Sequence, residues 1–202
     1  MNGIPSFRLE KDVINAEIDV LREMGVEFKC GVEVGEDITI AQLREQGYKA
    51  FYIAIGAQGG RMTGVPGEDA VGVETGVDFL RRVNLNEEGV KLSGKTVVIG
   101  GGNVAVDVAR TALRTGSSDV SMFCLESRDI MPAADDEVAE AEEEGIVVNN
   151  SWGPKEILTE NGKVTAVVFK KCISVLDENK RFSPKYDEEE LLTVPCDQVL
   201  LS

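Results

Sequence analysis

The 202-residue chain carries 36 acidic against 21 basic residues, a net charge of −15, with 43% hydrophobic and 28% charged residues. That balance marks a globular chain whose charge repels a nucleic-acid backbone and an anionic bilayer alike, so neither is an expected partner. The absence of histidine excludes imidazole triads, imidazole bases and imidazole metal ligands, and no apolar run approaches the roughly 18 residues of a membrane span.

In chain order, "SFRLEKDVINAEIDVLREMG" places Val13, Ile14, Ile18, Leu21 and Met24 at helical spacing before the stop at Gly25, which predicts an amphipathic helix. "VEFKC" reads as a short strand. "DITIAQLREQG" reads as a short helix opened by Asp37 or Thr39 and closed by Gly47, and "KAFYIAIGAQ" as a buried parallel strand. The glycines and proline of "GGRMTGVPGEDAVGVETG" read as a connection between domains.

From Lys95 the pattern alternates. "KTVVIG" is a strand, Asn103 to Thr115 a helix ended at Gly116, "DVSMFCLE" a strand, "DDEVAEAEEEG" a helix and "IVVNNSW" a strand. Such alternation implies a parallel sheet with right-handed crossovers. Asn161-Gly162 then marks a hairpin, "DENKRFSPKYDEEE" a polar surface loop, and "DQVLLS" a last strand. Arg110 and Arg114 read as a solvated helix face, as does acidic "AEAEEEG"; Asp107 reads as a stabilising charge near a helix start, and Trp152 and the phenylalanines as core.

Gly100, Gly101, Gly102, Asn103, Val104 and Ala105 fit G-x-G-x-x-[GA] between a strand and a helix. The first glycine permits a tight turn, Gly102 lets the backbone approach a pyrophosphate, and Ala105 lets helix and strand pack closely. Free N–H groups at the helix start would favour the phosphate charge; a structural turn without phosphate is the rival reading. Glu126, at the end of the second strand, stands where a carboxylate accepts from adenosine ribose hydroxyls and repels a 2′-phosphate. With Ser127 it is assigned to the cofactor, favouring NAD(H). Arg128 could pair with a 2′-phosphate, which keeps NADP(H) open, and a solvated Glu126–Arg128 pair is the plain alternative. Cys30, Cys124, Cys172 and Cys196 form no C-x-x-C pair, so they are expected as free buried thiols in a reducing, cytoplasmic setting. No metal site and no catalytic acid or base is assigned.

The segments "GIPSFRLEKDVINAEIDVLREMGVEF", "VGEDIT", "FYIAIGAQ", "GVPGED", "DFLRRVN", "VVIGGGNVAVDVARTALR", "RDIMPA" and "EEEGI" occur in the order found in the glutamate synthase small subunit (beta chain) family, which the chain resembles over nearly its whole length. The resemblance implies an α/β fold: a glutathione-reductase-type Rossmann NAD(P)-binding domain, its parallel sheet carrying an antiparallel excursion, plus part of an FAD domain. It implies residues 1–60 as a partial FAD-binding segment, 61–75 as linker, 76–196 as the NAD(P) domain and 197–202 as the start of a return to the FAD domain. It also implies that Gly56 lies in a segment approaching the flavin, that FAD is held only by the intact protein, and that this chain is a fragment not competent for turnover alone. The implied reaction passes hydride from NAD(P)H to FAD and electrons on to a partner subunit. Where many members have Tyr-Arg-Arg, this chain has Cys124-Leu125-Glu126, which strengthens the NADH expectation. A non-catalytic nucleotide-sensing or interaction module and a flavin-independent NAD dehydrogenase stand as alternatives.

Overall fold

The computed structural model describes residues 3–86 and 89–202. Its contacts divide into two units, Leu9–Gln58 and a larger one in which Gly59–Ser202 is joined by the described residues up to Arg8. Among the described residues no helix is long and apolar enough to cross a membrane.

The smaller unit holds two helices, α1 (Lys11–Glu23) and α2 (Ile40–Glu45). Helix α1 stops at Gly25, whose φ of 91° a side chain would strain. Helix α2 starts in a capping box: the Gln42 N–H donates to Thr39 Oγ1 at 3.2 Å, and the Thr39 N–H donates to Gln42 Oε1 at 2.8 Å. Two readings of this region fail. Neither residues 26–30 nor residues 49–58 form a strand, and Tyr52, Ile53 and Ile55 are 95%, 78% and 79% exposed. An apolar run becomes a strand only when a neighbour completes its hydrogen-bond ladder, and the described residues offer this one no neighbour.

The larger unit is built on a five-stranded parallel sheet. Its strands are β1 (Val73–Thr75), β2 (Lys95–Ile99), β3 (Asp119–Cys124), β4 (Val147–Asn150) and β8 (Gln198–Leu201), in the order β1-β8-β2-β3-β4. Helices α3 (Gly76–Asn84), α4 (Asn103–Arg114) and α5 (Asp135–Glu143) connect them. Between β4 and β8 the chain makes an antiparallel sheet of β5 (Trp152–Glu160), β6 (Lys163–Leu176) and β7 (Phe182–Pro195). Asn161-Gly162 forms the β5–β6 turn, with both residues at positive φ.

Alternation along β2 and β8 sorts the core into two clusters. Val98 and Leu200 face the helices, joining Phe79, Val106, Ala109 and Val138. Val97, Ile99, Val199 and Leu201 face the antiparallel sheet with Phe123 and Phe169, whose rings stack at 4.1 Å. Both faces of the parallel sheet are therefore covered, as its nearly continuous apolar strands require.

Three further readings change. The 59–76 stretch, read as a connection, carries β1, and Ile157 donates its N–H to Pro66 at 2.8 Å, so this stretch packs along β5. The polar "loop" of residues 177–190 is a loop only around Asp177–Arg181, where Asp177 Oδ1 accepts from the Asn179 and Arg181 amides. The rest belongs to β7, an edge strand, and edges tolerate charge because one side faces water. Arg110 is 8% exposed and not a solvated face. Its guanidinium reaches Glu140 on α5 at 2.5 Å and Glu144, just past the end of α5, at 2.7 Å, and lies over the Phe7 ring. The acidic face of α5 is thus a set of arginine partners.

Candidate functional site

Strand β2 ends at Ile99, and three glycines carry the chain into α4. Gly100 has φ 152°, and a side chain on it would strike the carbonyl of Ser202. Its N–H donates to Phe123 O at 2.9 Å, fixing the turn to β3. A Cβ on Gly101 would lie 2.8 Å from Cys124 Cβ and 3.0 Å from Glu126 Oε2, so this glycine is required by close approach. Gly102 is different. It has an ordinary φ of −92°, and a Cβ there would project into open space.

Helix α4 begins immediately after. Gly102 supplies no side-chain cap, and the N–H groups of Gly101, Gly102, Asn103 and Val104 have no acceptor among the described residues. Unpaired amides at a helix start, with the helix dipole behind them, form an anion cradle. Gly100, Gly101, Gly102 and Glu126 all line one cavity of about 340 Å³. Ala105, fully buried, packs beneath the turn, where a larger side chain would push helix from strand.

The Asn103 side chain is structural: its Oδ1 accepts from the Ala134 N–H at 2.9 Å and its Nδ2 donates to Glu137 at 3.3 Å. Behind it Arg8 pairs with both Asp107 and Glu137. Burial pushes the Asp107 carboxyl above its ordinary range, and the bond from Arg8 opposes that rise.

Other expected residues are placed less directly. Ser127 Oγ donates to Asp129 Oδ1 at 2.6 Å, closing a local turn. Arg128 grips Glu142 with both terminal nitrogens, each bond 3.0 Å. Gly56 lies in the other unit, at φ 73°. Sequence reasoning missed the rest of the wall, including Cys124, Pro132, Trp152, Phe182 and Ser202. Trp152 and Phe182 are not the core residues their apolar character suggests: Trp152 is half-buried, and Phe182 is 68% exposed. Their aromatic character beside a glycine turn was the available signal.

The ionisable side chains of the wall are Cys124 and Glu126. Burial, then the nearby Glu126 charge, pushes the Cys124 thiol up to about 11, which leaves it protonated and unreactive at neutral pH. This wall is suited to holding and orienting a phosphate-bearing molecule.

A parallel sheet with an antiparallel excursion and a glycine-rich strand-to-helix turn defines a dinucleotide-binding α/β domain. The family model described as pyridine nucleotide-disulphide oxidoreductase matches residues 10–201, and the chain belongs to that family. It is 37% identical over 205 residues to the NADP(+)-dependent formate dehydrogenase subunit beta of Moorella thermoacetica, covering 98% of this chain and 28% of that one. It is 36% identical over 210 residues to the glutamate synthase [NADPH] small chain of Halomonas elongata, covering 99% of this chain and 44% of that one. The resemblance read from the sequence is therefore borne out, and the chain spans less than half the length of these relatives. Among solved structures it matches FprA from Mycobacterium tuberculosis with a TM-score of 0.83 at 22% identity, over 100% of this chain and 60% of that one. That likeness establishes the glutathione-reductase-type fold.

Proposed function

We propose that the chain is the pyridine-nucleotide-binding portion of a flavin-dependent oxidoreductase and that it prefers NAD(H). The observation that carries this is the row of unpaired amides from Gly101 to Val104, at a turn where the missing Gly102 side chain leaves the approach open. In this reading a pyrophosphate lies against those amides and Glu126 accepts from the adenosine ribose hydroxyls. Bound NADH supplies a hydride from its nicotinamide ring; the protein's part is to orient that ring.

On the family match we assign residues 1–60 to an FAD-binding domain, in which bound FAD would take up the hydride and pass electrons on to a partner subunit. The similarity to subunits named formate dehydrogenase beta and glutamate synthase small chain supports a partner of that kind. Free thiols, three of them buried, support a cytoplasmic setting.

Both of those relatives' names specify NADP(H). The preference for NAD(H) rests on this chain's own residues: a 2′-phosphate would sit beside the Glu126 carboxylate, and Arg128 is engaged elsewhere. Titration with NADH and NADPH, following nicotinamide fluorescence, tests it alongside Glu126→Ala. NADH should bind more tightly, and the variant should lose about ten-fold, the worth of a charged hydrogen bond. Equal affinities for both nucleotides in both proteins would overturn the ribose assignment.

A further inference from the structure

We infer that Glu142, on α5, sets the coenzyme preference by withholding Arg128 from the ribose end of the nucleotide site. The inference rests on the nucleotide reading above. Arg128 is two residues beyond Glu126, on the turn leaving β3, and is the cation that follows the assigned ribose carboxylate. Its guanidinium is the group in this turn whose fork matches phosphate geometry. In the structure that fork is filled. Both terminal nitrogens donate to the two oxygens of Glu142, at 3.0 Å each, in the bidentate arrangement a phosphate would otherwise take.

The position of Glu142 follows from the packing of α5. Val138 and Ala141 are buried against the core, and Glu142, next along the helix, projects beside that seam. Glu140 and Glu144 hold Arg110, and Glu144 also holds Arg114, so neither acid competes for Arg128. A 2′-phosphate recruiting Arg128 must displace a carboxylate already in register and then remain near both Glu142 and Glu126. NADH, with a neutral 2′-hydroxyl, meets neither obstacle. Glu142 touches no nucleotide in this scheme; it is a positioning residue acting through Arg128.

The test uses the 202-residue chain and compares dissociation constants for NADH and NADPH in the unsubstituted protein, Glu142→Gln, Arg128→Gln and the double variant. Both ion-pair partners are half-exposed, so folding should survive, and circular dichroism checks it. Glu142→Gln should tighten NADPH binding about three- to five-fold, as expected for releasing an exposed pair, while changing NADH by less than about two-fold. The double variant should lose the gain, which removal of a repulsive charge alone would not explain. Unchanged NADPH affinity in Glu142→Gln, or a gain that persists without Arg128, overturns the inference while NADH binding still stands. Failure of the unsubstituted chain to bind either nucleotide overturns the nucleotide reading and the inference with it.

Discussion

Asn103, the first residue of α4, accepts a hydrogen bond from the Ala134 N–H, so the helix behind the glycine turn is tied to the residue preceding α5. The same side chain donates to Glu137. Asn103→Ala removes both bonds and frees the Ala134 amide. It should cost about 1 kcal/mol in a denaturant titration, and NADH affinity should fall by a few-fold because the cradle is less rigid.

Arg8 neutralises Asp107 and Glu137 behind that cradle. Arg8→Gln should destabilise by about 2 kcal/mol at pH 7, since a charge-assisted pair is lost around a buried carboxylate. Burial already holds the Asp107 carboxyl above its ordinary range, so the charged form is disfavoured on folding. Without Arg8 the pKa should rise further, and the penalty should shrink as pH falls through that raised value. Thermal melts of both proteins between pH 7 and pH 4.5 should therefore converge toward acid.

Glu144 works in the opposite sense. Bonds from Arg114 and Arg110 hold its carboxyl below the ordinary range. A depressed carboxylate contributes stability above its unfolded pKa and loses it as pH falls through the folded one. Glu144→Gln should lower the melting temperature at neutral pH and flatten the acid limb of the stability profile below about pH 4.5.

Trp152 is the sole tryptophan, and it lines the cavity. Its emission overlaps the absorption of reduced nicotinamide, so bound NADH should quench it with a single-site isotherm. Addition of NAD+ should displace the NADH and restore emission. Quenching that grows linearly with NADH and never saturates would mean inner filtering instead of binding.

Of the four thiols, Cys30 is exposed and Cys124, Cys172 and Cys196 are buried. Burial pushes Cys124 up to about 11 and Cys196 up to about 12. A colorimetric thiol reagent at pH 8 should report one fast cysteine, with three more only after unfolding.

What could be read from the sequence follows from where each element's determinants lie. β2, the glycine turn and α4 were legible because strand, turn and helix signals fall within about twenty residues and agree with one another. β7 was not, because charged residues on an edge strand look like a loop until β6 is placed beside them. Residues 49–58 were misread because apolar composition signals burial without supplying the neighbour that burial needs. Arg110 was misread as solvated because its partners come from Phe7, far upstream, from Glu140 on α5 and from Glu144 just beyond it. In the candidate site the glycines and Glu126 were singled out by spacing alone, and the structure brings them to one cavity. The capture of Arg128 by Glu142 was not, since no local pattern announces a pair 14 residues apart.

In the proposed site, backbone amides at the start of α4 hold a dinucleotide because Gly102 leaves the approach clear. Gly102→Ala isolates it: the backbone there is unstrained and the added methyl meets no protein atom, so the fold should survive, with at most about 1 kcal/mol lost because alanine caps a helix less well than glycine. Calorimetric titration with NADH should show one site per chain in the unsubstituted protein, weakened about ten-fold or more in the variant while circular dichroism shows the same folded state. Equal NADH affinity in the two proteins, or none in the unsubstituted one, would contradict it.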